Sequence, residues 1–380
     1  MGAIRLFLAF VVAAGHWVEQ GLSFPERPWT DRLLFGFNAG YAVMFFYVIS
    51  GFLITYTLSR NYERSLSGAA RFYQNRFIRI FALYWPMAIL ALSTVDSAWR
   101  NFVSFDLIDK LTGLFLLGID WRLMFTAHPD NRWDAALPGL HQAWTLGAEL
   151  TFYILAPLLM RSWKIGAVLL LLSVGLRATF IWSLPPGSVT SDWLYLFAPS
   201  TFVFFMLGHL SCLAGQRYGI MLRRGWWIGL LLASLIVMEL LPRISFDTPR
   251  FWISILLFAL AVPGIFAGTK NVRWLNYLGD LSYPVYLVHN LVFLWVGGEI
   301  SAYFVEGHTA RLLNSLISCA VFCAVVLVAA AAVRVLLERP AAALMRATFT
   351  ARRRAPAVLT PGLVGKPTEA ESRARPRMRT

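Results

Sequence analysis

The chain has 380 residues, of which 58% are hydrophobic and 14% charged, with 15 Trp, 29 Phe and a formal net charge of +14. Charged residues make up about 25% of an average soluble domain, so this balance excludes an ordinary soluble fold. The basic excess would suit nucleic acid, but Lys and Arg gather in short segments between apolar runs and in the tail after Ala351, a pattern better explained by membrane orientation and anionic lipid.

In chain order, apolar runs predict about ten transmembrane helices, at roughly 3–22, 36–58, 77–95, 142–160, 165–183, 193–214, 226–242, 251–268, 278–297 and 312–337. No small-residue cleavage site follows the first run and further spans do, so it is read as a retained helix. With both termini cytoplasmic, RNYERSLSGAARFYQNR, RSWK, QRYGIMLRRG, TKNVR and the tail fall inside, whereas PPGSVTSD, PRISFDTPR and the long 96–141 segment fall outside. Lys and Arg then concentrate on the cytoplasmic side, as orientation demands. The stretch at about 107–124 (LIDKLTGLFLLGIDWRLM) is apolar over too short a length and carries acids at both ends, so it is assigned to the outer face as a re-entrant or interfacial segment. The expected organisation is an all-α integral membrane domain over 1–340 and a basic, disordered cytoplasmic tail over 341–380, too poor in apolar residues to build a core.

Ionisable groups inside spans are costly and mark cavities or paired sites. In AIRLFLAFVVAAGHW, Arg5 and His16 are eleven residues apart, which is three helical turns plus about 20°, so both lie on one stripe roughly 16 Å long. Arg5 also fits a snorkelling role near the helix start, and His16 a hydrogen bond between helices. Glu149 lies well inside its span with Tyr153 at i+4, and a carboxylate there needs a partner. Arg76 and Arg79, three apart, share a helix face that serves either orientation or anion binding. Ser282, Tyr286 and His289 follow i, i+4, i+7 as one polar stripe on the ninth span, suited to lining a cavity or to joining helices. Cys212, Cys319 and Cys323 lie in apolar runs as packing residues. The histidines have no metal-ligand spacing, so no metal and no tightly bound cofactor is expected.

The ordered motifs resemble the membrane acyltransferase-3 family: R-(x)10-H in the first span, FFYVISGFLIT (45–55), RFIRIFALYW (76–85), WTLGAELTFY (144–153), FVFFMLG (202–208) and LGDLSYPVYLVH (278–289). Met44 before the FF pair and Thr145 in place of a common serine depart from the pattern. The resemblance implies an O-acyltransferase of the bacterial cytoplasmic (inner) membrane, which moves an acyl group, acetyl by default, from cytoplasmic acyl-CoA to an extracytoplasmic glycan or glycosylated acceptor. It places His16 as general base, with Glu149 orienting the ring if it reaches it, and Arg5 on the path between donor and acceptor. Arg76 and Arg79 then hold donor phosphates, and Tyr153, Ser282, Tyr286 and His289 serve substrate binding. The rival class is a proton-coupled transporter or polysaccharide exporter, which the lack of two related halves disfavours. Membrane lipid is the remaining partner.

Cysteine labelling tests the topology. Residues 60–75 should react only from the cytoplasm and residues 96–125 only from outside; labelling of both segments from one face would redraw every assigned side.

Overall fold

The computed structural model describes residues 1–19, 39–125, 136–160, 162–185, 187–219, 225–239, 248–305 and 311–354. Among these the chain is helical with no strand. We number the helices α1 (Gly2–Glu19), α2 (Ala39–Asn61), α3 (Leu66–Thr94), α4 (Asp96–Ser104), α5 (Leu107–Phe115), α6 (Ile119–Phe125), α7 (Trp144–Leu159), α8 (Trp163–Ser183), α9 (Ser188–Tyr195), α10 (Ala198–Arg217), α11 (Trp227–Glu239), α12 (Pro249–Thr269), α13 (Arg273–Val305), α14 (Arg311–Val333) and α15 (Arg339–Arg354). Within the described residues, each of the ten apolar runs expected to span overlaps one of these helices, except that 193–214 runs from the end of α9 into α10. Seven stretches among the described residues are long and apolar enough to cross a membrane, and Gly2–Val18 and Trp227–Met238 are shorter apolar helices. Together they make a multi-pass membrane protein.

Helix α2 is the central staple. It packs against α10 so closely that a Cβ at Gly51 would be driven into the carbonyl oxygen of Phe205, and one at Gly208 into that of Val48. Small residues let helix backbones meet in lipid, where apolar burial provides no net drive between helices. This is the structural use of the SGF and FMLG motifs. Around that contact, rings stack in a column: Tyr47 on Phe205 (4.5 Å), Phe205 on Phe152 (4.3 Å) and Phe45 on Phe258 (4.2 Å). Helix α1 lies against α13 as well as α2, so the first and ninth expected spans are neighbours despite their distance in sequence.

The segment at 107–124 forms two short helices, α5 and α6, joined through Leu116 in the left-handed region (φ 60°) and Gly118 (φ 76°). At about 1.5 Å per residue neither is long enough alone to cross a ~30 Å hydrocarbon core. Arg122 clasps the pair, with Nε donating to Asp109 Oδ1 (2.5 Å) and Nη2 to Asp106 Oδ2 (2.9 Å). From α3, Tyr84 donates to the Gly113 carbonyl and Trp85 to that of Leu114 (3.0 Å), which seats the segment on the bundle.

The region after 340 departs from expectation. A π-turn at Arg334–Glu338, closed by the Arg339 N–H on the Arg334 carbonyl, carries the chain into α15, which ends at Arg354. The wider turn accommodates Pro340, which cannot supply an N–H to the ladder. Alanine-rich sequence favours helix, and Phe349 meets Phe77 of α3 at 6.2 Å. The expected core-poor tail therefore begins as helix over 341–354; 355–380 lie outside the described residues.

Gly51→Ala tests the staple. Overpacking a close helix contact costs about 1–3 kcal/mol, so the purified protein should unfold at a lower temperature. Gly229→Ala, where a Cβ meets nothing within 4 Å, should not lower the midpoint. Equal midpoints for the two variants would contradict the contact.

Candidate active site

Between α1, α2, α3, α7 and α13 lies an open cavity of about 910 Å³, counting the solvent space in its mouth. Its lining includes Arg5, Ser50, Arg76, Arg79, Glu149, Tyr153, Ser282, Tyr283 and Tyr286, with Tyr47 and Thr145 beside them. Seven of the nine residues singled out in the sequence thus converge on one space.

Each side chain reaches that space through helical spacing. Thr145, Glu149 and Tyr153 form an i, i+4, i+8 stripe on α7, and Tyr47 and Ser50 an i, i+3 pair on α2. The start of α7 is fixed to α13 by side chains: Gln142 Nε2 donates to the Leu287 carbonyl (3.0 Å), Asn290 Nδ2 to that of Gly139 (3.1 Å), and Tyr286 O–H to that of Gln142 (2.8 Å). The Thr145 hydroxyl lies 2.6 Å from the Tyr286 oxygen, so the threonine that departs from the motif still supplies a working hydroxyl.

Glu149 Oε1 accepts from both the Ser50 and the Tyr153 hydroxyls. Three guanidinium groups share the cavity with it. Arg76 stands over the rings of Phe72 and Tyr153, each at 5.6 Å. Its buried Nε has no hydrogen-bond partner among the described residues. Arg79 stands over Tyr283 (5.7 Å) and pairs with Glu338 at 3.7 Å. Neither Arg5 nor Arg76 forms an ion pair among the described residues. The cavity therefore carries excess positive charge backed by aromatic faces, an environment that favours an anionic occupant.

His16 and His289 lie beside this space and do not line it. Their rings are hydrogen-bonded, His16 Nδ1 to His289 Nε2 at 3.0 Å, and His289 is fully buried. The Tyr286 ring, a wall of the cavity, is 6.0 Å from the His289 ring. The expected contact between Glu149 and His16 is corrected here: His16 is joined to His289, and Glu149 to Ser50 and Tyr153. The reason is packing. At His16 the neighbour of α1 is α13, through His289, while α7 sits against α2 and α3.

Tyr47, Ser50, Thr145 and Tyr283 were not singled out as site residues; Thr145 shares a helical stripe with Glu149 and Tyr283 one with Tyr286, whereas the helix that bears Tyr47 and Ser50 carries no residue that was. Other intramembrane polar groups serve the scaffold. Arg177 donates to the carbonyls of Leu194 (2.7 Å) and Ser200 (3.1 Å), and His209 Nδ1 meets the Thr55 hydroxyl at 2.9 Å. No cluster of three potential metal ligands occurs among the described residues.

A family profile described as an acyltransferase domain matches residues 1–334. Nodulation protein 10 of Rhizobium leguminosarum bv. viciae is 28% identical to this chain over 318 residues, which cover 76% of this chain and 81% of that protein. No solved structure matches the chain.

Proposed function

This chain belongs to the acyltransferase-3 family, and from that premise we propose that it O-acylates an extracytoplasmic carbohydrate, taking the acyl group from acyl-CoA on the cytoplasmic face of the bacterial inner membrane. Acetyl is the proposed acyl group. The observation that carries the reading is a cavity in which three guanidinium groups, Arg5, Arg76 and Arg79, face one carboxylate, Glu149, and in which Arg5 and Arg76 form no ion pair among the described residues. Guanidinium groups grip phosphate through paired donors, so Arg76 and Arg79 are assigned to the donor's phosphates. They belong to the basic 60–79 region that charge distribution places inside.

Transfer needs a base for the acceptor hydroxyl and a stabiliser for the tetrahedral oxyanion. His16 is assigned as the base. It takes the hydroxyl proton as the new C–O bond forms, and returns that proton to the thiolate as the C–S bond breaks. Arg5 lies on the same helical stripe, toward the donor side, and is assigned to the thioester end of the donor. Glu149, held by Ser50 and Tyr153, is assigned to keep the guanidinium cluster in place and to position those two hydroxyls, which with Tyr286 line the acceptor's path.

Two variants test the assignment. Arg76→Ala should weaken acetyl-CoA binding by at least tenfold, because a charge-assisted contact contributes about 1.5–3 kcal/mol before screening, and Arg76→Lys should recover only part, lacking the planar fork. Unchanged binding by a correctly inserted Arg76→Ala protein would remove the phosphate role. His16→Gln keeps the size and hydrogen-bonding capacity of the side chain but cannot cycle a proton. Ester formation should fall about 10²–10⁴-fold with acetyl-CoA binding intact, whereas near-normal transfer would remove His16 as the base.

A further inference from the structure

The mechanism above uses one imidazole, yet the structure holds two in contact. His289 Nδ1 is 3.3 Å from the Val285 carbonyl oxygen, one helical turn back on α13, and His289 Nε2 is 3.0 Å from His16 Nδ1. A carbonyl oxygen only accepts, so the nitrogen facing it carries the hydrogen. A neutral imidazole has one N–H, which leaves Nε2 of His289 with a lone pair. That lone pair needs a donor, and the nitrogen facing it is Nδ1 of His16. The proton of His16 is therefore placed on Nδ1, and its lone pair on Nε2, the ring nitrogen turned away from His289.

We propose that His289 is the positioning residue for His16, relaying the fixed direction of the Val285 carbonyl through its own ring so that His16 presents an unprotonated Nε2 to the acceptor hydroxyl. This rests on the reading of His16 as base. When His16 takes up a proton at Nε2, its Nδ1–H still points at His289 Nε2, so nothing in the pair has to rotate between the two protonation states. The contact also gains strength, because a charged donor makes the shorter and stronger bond. A carboxylate does this work in the Ser-His-Asp arrangement. A buried imidazole does it here without placing a second charge deep in the bundle, where an ion is expensive. The packing fits the role. His289 is fully buried, its neighbours Val288 and Leu291 are likewise buried, and α13 is pinned next to it through Asn290 on Gly139. A rotamer locked on both sides is what a positioning group requires.

The test uses the full-length protein in lipid nanodiscs, acetyl-CoA as donor, and the glycan fraction extracted from cells that lack the protein as acceptor. His289→Phe keeps a ring but offers no acceptor to His16. It should lower kcat about 10²-fold with KM for acetyl-CoA unmoved, since His289 does not line the donor cavity. His289→Gln offers an amide oxygen to His16 and an N–H to Val285, and should recover a tenth or more of the activity. Nitrogen-15 spectra of the histidine-labelled wild-type protein should show His16 Nδ1 protonated and Nε2 bare. This readout needs no activity and no variant that folds. A His16 proton on Nε2, or full activity of His289→Phe alongside an inactive His16→Gln, would overturn the relay and leave the base assignment standing; full activity of His16→Gln would overturn both.

Discussion

A guanidinium group placed among apolar helices has to be given water, an opposite charge or an aromatic face, because hydrocarbon supplies none of them. Arg5, Arg76 and Arg79 impose that demand at one place. The bundle meets it with an open cavity, with the rings of Phe72, Tyr153 and Tyr283, and with Glu338 on Arg79. Much of the rest follows. Helix α2 must approach α10 at Gly51 and Gly208 so that Tyr47 and Ser50 are turned to the cavity. Helix α7 must be tied to α13 so that Glu149 faces the same charges. The close packing is thus in service of a polar space, which apolar side chains alone would have filled.

The histidine pair sits just outside that space, behind the Tyr286 wall. The guanidinium groups proposed to hold the donor and the imidazole proposed as base are in this way kept on different parts of the same helices, with α1 carrying Arg5 at one level and His16 at the other. A transferase that joins substrates from two sides of a membrane needs that separation, since each substrate is to approach from its own compartment. Membership of an acyltransferase family also decides between the enzyme and the carrier, which a list of intramembrane Arg, His and Glu leaves open.

The helical runs were legible because lipid imposes length and hydropathy directly on sequence, and the convergence of Arg5, Arg76, Arg79, Glu149 and Tyr286 was legible because each is expensive where it lies. Hydroxyls carry no such mark. Ser50 and Tyr47 read as ordinary members of an apolar run, and only the fold shows Ser50 donating to Glu149. Partner choice was equally hidden. Helical spacing says that His16 and Arg5 share a stripe, but which helix that stripe meets depends on tertiary packing, and α13 rather than α7 is the neighbour. The helix over 341–354 was obscured by Pro340, whose effect is absorbed by a π-turn that hydropathy does not register.

The central claim is directional: an acyl group enters from cytoplasmic acyl-CoA and leaves on a carbohydrate of the opposite compartment. Inverted inner-membrane vesicles, whose outer surface is the cytoplasmic one, test it most directly when given isotope-labelled acetyl-CoA from outside. Mass spectrometry of the glycans recovered from the lumen should show labelled ester in vesicles that contain this protein and none in vesicles without it. Lumenal glycans free of label, with ester formed only when acetyl-CoA is sealed inside, would contradict the account.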